Sequence, residues 1–175
     1  MIIPKLLLLS FLFFETSAQL DKTLLSEEEE QSLNEVRIEV AKLIPYTKRS
    51  RRELGAIIYL NDDGDFSYSD PIEGDRSSFS PTMILRDNRL FTKEGLYGVD
   101  GVYEVIEVMH THPYRGSSSN FSGGKKTGDI WWAERYNTYL SVIWKNQLRL
   151  YKPKGLNLDK KFRESSGELI CKNCF

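Results

Sequence analysis

The sequence predicts a mixed α/β chain, an α+β arrangement of helices around a mixed sheet. Three observations point there. A strongly capped amphipathic helix stands near the N-terminus, two separated apolar segments read as central strands, and a short helix lies between the second of these and a closing hairpin. The chain has 175 residues, room for one domain, and is too short for the large metal-hydrolase barrels. Its 40% hydrophobic and 28% charged content is that of an ordinary globular chain. A net charge of −1 leaves no global footprint for nucleic acid.

Residues 1–18 read as a signal peptide. Lys5 gives a positive start, Leu6–Phe14 is apolar but for Ser10, and Thr16-Ser17-Ala18 supplies small residues for cleavage. The apolar run is far below the ~20 residues a bilayer span needs, and nothing after it is apolar enough to span one. The expectation is an exported protein, periplasmic or secreted, whose mature chain starts at Gln19 with no membrane span. In an oxidising compartment Cys171 and Cys174 are candidates for a small disulfide, because a structural zinc needs four ligands and no further cysteine exists.

Residues 19–50 form an N-terminal helix and lead-in. Ser26 and Glu29 make a capping box, Glu27–Glu30 suit the positive helix end, and Leu33, Val36, Val40 and Leu43 recur at helical spacing. Pro45 ends the pattern, so the helix runs from about Glu27 to Ile44. The basic run Lys48–Arg52 reads as solvated surface. Leu54–Leu60 is a strand, Asn61–Gly64 a turn, and Phe66–Ser69 the return of a hairpin; the Asp62–Asp65 cluster lacks the spacing of a calcium loop. Pro71–Gly101 reads as an irregular crossing over the surface. Tyr103–Met109 is a second central strand, Asn120–Gly128 a polar loop, and Asp129–Tyr136 a short helix. Tyr139–Trp144 and Leu148–Tyr151 form a hairpin over Lys145-Asn146-Gln147, and residues 154–175 form a tail.

Both histidines of the chain fall in His110-Thr111-His112-Pro113. Two residues apart at a strand end, they point to one side, as two imidazoles must to grip one metal ion. A catalytic zinc site takes a third protein ligand and keeps one position open; Asp129, opening the next helix, is the candidate. A general base is still needed, and Glu53 opens a neighbouring strand. A phosphoesterase with a His-x-His start predicts further histidines, and there are none. Trp131 and Trp132 follow Asp129, one expected in the core and one partly exposed; Asn120-Phe121-Ser122 matches a glycosylation sequon.

These residues resemble the JAMM (MPN) metalloprotease domain, whose pattern is a glutamate near the first strand, then His-x-His-Pro, then Ser-x-x-Asp opening a helix. The matching pieces are Glu53-Leu54-Gly55-Ala56-Ile57-Ile58, His110-Thr111-His112-Pro113 and Thr127-Gly128-Asp129-Ile130, within residues 51–153. The chain is most similar to secreted bacterial JAMM-like domains, through Arg52-Glu53-Leu54-Gly55, Asp63-Gly64 and Asp70-Pro71-Ile72-Glu73-Gly74. The resemblance implies a three-layer sandwich with helices on both faces of the sheet, similar to cytidine deaminases. It implies zinc held by His110, His112 and Asp129, with Glu53 as the base for a zinc-activated water. The expected substrate is a peptide, protein or cell-wall peptide, cleaved at an amide, peptide or isopeptide bond. Two departures stand out: the stretch Pro113–Gly128 is longer than in the family, and Lys126 occupies the place of the family serine. Thr127, Ser122 or the Lys126 ammonium are the candidates to stabilise an oxyanion in its stead. A non-catalytic binding module of the same fold is the alternative.

Overall fold

The computed structural model describes residues 25–44, 52–76, 78–112 and 120–173. The expected signal peptide, the Lys48–Arg51 part of the basic run, Pro113 and Cys174 lie outside the described residues.

Helix α1 spans Glu27–Leu43 and starts as expected: the Ser26 hydroxyl accepts from the Glu29 amide at 3.2 Å, and the Glu29 carboxylate accepts from the Ser26 amide at 2.7 Å. Ile44, which precedes a proline in the sequence, leaves the helix with φ −83° and ψ 107°, the extended region that position favours. Strand β1 is Leu54–Leu60, and β2, Phe66–Tyr68, returns from it after a turn in which the Asn61 side chain accepts from the Asp63 and Asp65 amides. The cluster Asp62–Asp65 is therefore a turn, as read. Pro71–Gly101 is more ordered than the sequence suggests. It contains β3 (Ile72–Glu73) and a hairpin of β4 (Ile84–Arg86) and β5 (Arg89–Phe91). The hairpin turns on Asp87 and Asn88, both left-handed at φ 47° and 62°, a conformation these two residue types tolerate.

Strand β6, Glu104–Thr111, is followed by helix α2, Gly128–Tyr136, then β7 (Tyr139–Trp144) and β8 (Gln147–Tyr151). The expected strand at Tyr103–Met109 thus extends through His110. The C-terminal tail is not left outside the sheet, because β9, Glu168–Lys172, pairs with β8. The hydrogen-bonded order is β2-β1-β6-β7-β8-β9, with β3 on β1 and β5 on β6. Among the described residues only β6 and β7 run parallel, which is what a crossover through a helix between them allows. Among the described residues the fold is mixed α/β, with one mixed sheet and two helices.

Alternate residues of β1 enter two separate cores. Ala56 and Ile58 join Leu33, Val40 and Ala41 of α1, whereas Ile57 and Tyr59 join Ile130 and Ala133 of α2. The helices therefore cover opposite faces of the sheet. The pairing of β1 with β6 shifts between Ile58 and Tyr59, whose partners are Glu107 and Val105, so Ile106 is extra. Beyond that irregularity Val108 faces the α2 core and Met109 the α1 core. By the same alternation His110 and His112 face the α2 side.

The α1 side carries an unexpected polar group. Arg37, fully buried on the apolar stripe of α1, donates to Glu107 of β6 at 2.6 Å, to Asn34 at 2.6 Å and to Glu30 at 2.9 Å. Glu107, also fully buried, accepts from Ser141 of β7 as well. Removing one partner of such a pair leaves an uncompensated buried charge. Arg37→Met is therefore expected to destabilise the protein by about 3–5 kcal/mol, read as a lowered urea midpoint.

Candidate metal centre

The site lies where β1 begins and β6 ends. Gly55 of β1 is the antiparallel partner of His110, and the Leu54 amide donates to the Thr111 hydroxyl at 2.9 Å. That bond ties the residue after Glu53 to the residue between the histidines. Gly55 is required there: a Cβ would stand 2.2 Å from the Met109 carbonyl oxygen and 2.5 Å from the Phe79 ring. The Phe79 ring lies nearly parallel to the His110 imidazole, 6° apart with centroids 6.0 Å distant. Gly55→Ala is expected to cost roughly 1–3 kcal/mol or more through overpacking, seen as a lower midpoint of thermal unfolding.

His110 Nε2 is 3.2 Å from His112 Nε2 and 3.5 Å from Asp129 Oδ1, and His112 Nε2 is 3.6 Å from Asp129 Oδ2. One potential ligand atom from each residue lies within 4.8 Å of the other two. Ligand bonds of about 2.0–2.1 Å in a tetrahedral zinc site put neighbouring ligand atoms about 3.3–3.4 Å apart. The triangle has that scale. Burial pushes His110 down to about 4, with Asp129 opposing and His112 adding to the shift. At neutral pH the ring is uncharged and keeps a lone pair, so its contact with Asp129 is not an ion pair. Burial works against an ionised Asp129. The hydrogen bond from His112, the field of His110 and the Ser122 amide outweigh it and hold the carboxyl well below its usual range. Two imidazole nitrogens and an ionised carboxylate are a donor set that suits zinc.

Glu53 is 7% exposed. Its amide donates to the Asp75 carbonyl at 2.8 Å and its carbonyl accepts from Gly74 at 2.7 Å, which fix the chain just ahead of β1. Burial raises its carboxyl to about 7; the field of His112 lowers it and that of Asp129 raises it. The structure thus brings His110, His112 and Asp129 together, and Glu53 lies within the field of His112 and Asp129.

Of the candidates to stabilise an oxyanion, Ser122 touches this cluster. Thr127 is exposed and extended, with no side-chain bond to the helix it precedes, and Lys126 is exposed at φ 58°. Ser122 bonds directly to Asp129, its amide at 2.7 Å and its hydroxyl at 2.9 Å from Oδ2. Within the sequon Asn120-Phe121-Ser122, Phe121 is fully buried. Trp131 and Trp132 are both half-buried, and Trp132 meets Tyr136 edge-on at 5.2 Å. One was expected in the core and one partly exposed; both are partly exposed, and each packs its ring on the α2 core. Arg52 pairs with Glu73 at the surface, 3.0 Å apart. Cys171 of β9 is disulfide-bonded, and Cys174 is the chain's one other cysteine. Sequence reasoning missed Phe79, an aromatic in a polar stretch with no periodicity to announce it.

No family model matches this chain, and no curated protein or solved structure matches it either.

Proposed function

We propose that this chain is an exported zinc-dependent hydrolase of JAMM type that cleaves an amide, peptide or isopeptide bond. The observation that carries the proposal is the convergence of His110, His112 and Asp129, with a buried Glu53 in the field of His112 and Asp129. His110, His112 and Asp129 would hold the metal and leave one position open. Zinc, when bound, polarises a carbonyl oxygen and lowers the pKa of water. Glu53 accepts a proton from the attacking water and passes it to the leaving amine, so water and amide become carboxylic acid and amine. Its carboxyl, raised to about 7 by burial, is poised to take and return a proton near neutral pH. Helices on opposite faces of a mixed sheet support the three-layer arrangement of that family and of cytidine deaminases.

The substrate class is a peptide, a protein or a cell-wall peptide. Export rests on the order of charge, apolar run and small residues in Met1–Ala18. Among the described residues no helix is long and apolar enough to cross a membrane.

A binding module of the same fold that holds metal without turnover is the alternative, favoured by Lys126 three residues before Asp129 and by the unattached Thr127 side chain. Purified protein starting at Gln19 separates the two: metal content first, then peptide hydrolysis with and without a chelator. Chelator-sensitive hydrolysis supports the enzyme. Bound zinc with no hydrolysis across peptide and cell-wall substrates supports the module.

A further inference from the structure

We infer that Ser122 is the N-terminal cap of α2 and the positioning residue for Asp129, and that Gly124–Thr127 is an excursion inserted into that cap; this rests on reading His110, His112 and Asp129 as metal ligands. The molecule contains its own reference. At α1 the Ser26 amide and hydroxyl donate to the Glu29 carboxylate at 2.7 and 2.8 Å, the hydroxyl accepts from the Glu29 amide at 3.2 Å, and the carbonyl accepts from the Glu30 amide at 2.9 Å. At α2 the Ser122 amide and hydroxyl donate to the Asp129 carboxylate at 2.7 and 2.9 Å, the hydroxyl accepts from the Asp129 amide at 2.9 Å, and the carbonyl accepts from the Ile130 amide at 3.2 Å. The four bonds correspond one to one. Serine and carboxylate are three residues apart in α1 and seven apart in α2. Thr127, which precedes α2 in the chain, makes no side-chain cap bond.

The backbone accommodates the extra residues. It re-enters the helix through Lys126 and Gly128 at φ 58° and 83°. A Cβ on Gly128 would lie 2.9 Å from the Ser122 and Gly123 carbonyl oxygens, so this return needs glycine. The departure is held by the C-terminal tail. Phe121 and Ser165 exchange backbone bonds of 2.7 and 3.3 Å, and the Phe162 amide donates to the Gly124 carbonyl at 2.8 Å. Both Ser122 donors fall on Oδ2 of Asp129, which fixes the rotation of the carboxylate. Oδ1, 3.5 Å from His110 Nε2, is left without a Ser122 bond. Partners that orient a ligand in this way typically contribute about 10–100-fold to metal affinity.

The test compares the mature chain with Ser122→Ala, Ser122→Thr and a deletion of residues 124–127, which leaves Ser122-Gly123-Gly128-Asp129 and restores a spacing of three. Zinc affinity is measured by chelator competition, and thermal unfolding is followed on the metal-free proteins. Ser122→Ala is expected to weaken zinc by about 10–100-fold and to lower the metal-free midpoint by a few degrees. Ser122→Thr restores most of both, and the deletion keeps wild-type zinc affinity. Wild-type affinity in Ser122→Ala overturns the positioning role. A deletion that fails to fold, or that binds zinc as weakly as Ser122→Ala, overturns the excursion. If Ser122→Ala itself does not fold, Ser122→Thr and the deletion decide the matter by the same measures. Should the wild type bind no zinc, the metal reading fails, while the Ser122→Ala midpoint and its rescue by Thr still decide the cap.

Discussion

A protein carrying both His110→Ala and His112→Ala is expected to retain no zinc. The wild type, loaded and desalted, is expected to hold about one ion per chain, the number one three-ligand site accommodates. The double variant keeps only Asp129 of the three converging ligands. A lone carboxylate does not compete with water and buffer for zinc, and even His112→Ala alone should weaken binding sharply. Elemental analysis after desalting reads the result directly. A second readout is linkage: an ion that binds the folded state raises its unfolding midpoint, so zinc should stabilise the wild type and leave the double variant unmoved. Unchanged zinc content in the double variant would remove the assignment.

Glu53→Gln is expected to keep the zinc and lose hydrolysis, by about 10²–10⁴-fold in rate. Glutamine has nearly the same shape, and Glu53 is held in place through its backbone, by Asp75 and Gly74, which the substitution leaves intact. What changes is the capacity to take a proton. The same change also removes a buried carboxyl that burial makes costly to ionise, so the variant should unfold at no lower a temperature than the wild type. The discriminating pattern is retained zinc, retained fold and lost turnover on a substrate the wild type cleaves. Full activity in Glu53→Gln would rule out Glu53 as the base.

Much of the frame is legible from local chemistry. Ser26 and Glu29 announce the start of α1, and the apolar run Leu54–Leu60 announces β1, because capping and burial act on neighbouring residues. The histidine pair is legible for the same reason: a strand's period of two aligns His110 with His112. What escaped depends on residues far apart in the chain. The short strands β3 to β5 carry too few residues to show a period, and β9 becomes a strand only because β8 offers it an edge. Arg37 reads as one charge on a helix; Glu107, far along the chain, makes it a buried partner. At the site, Lys126 looks like a lost serine only while positions are counted along the chain. Counted by hydrogen bonds, the residue at the head of α2 is Ser122, and the excursion behind it hides the spacing.

The bridge between Phe121 and Ser165 also imposes an order in time. Synthesis runs from the N-terminus, so both histidines and Asp129 leave the ribosome well before the residues that brace the loop ahead of α2. A nascent chain that has reached Tyr151 carries His110, His112 and Asp129 but neither Phe162 nor Ser165. The strand that follows Ser165, β9, pairs with β8 and is made later still. The loop that carries Ser122 is thus braced only after all three residues of the His110-His112-Asp129 triangle have been synthesised.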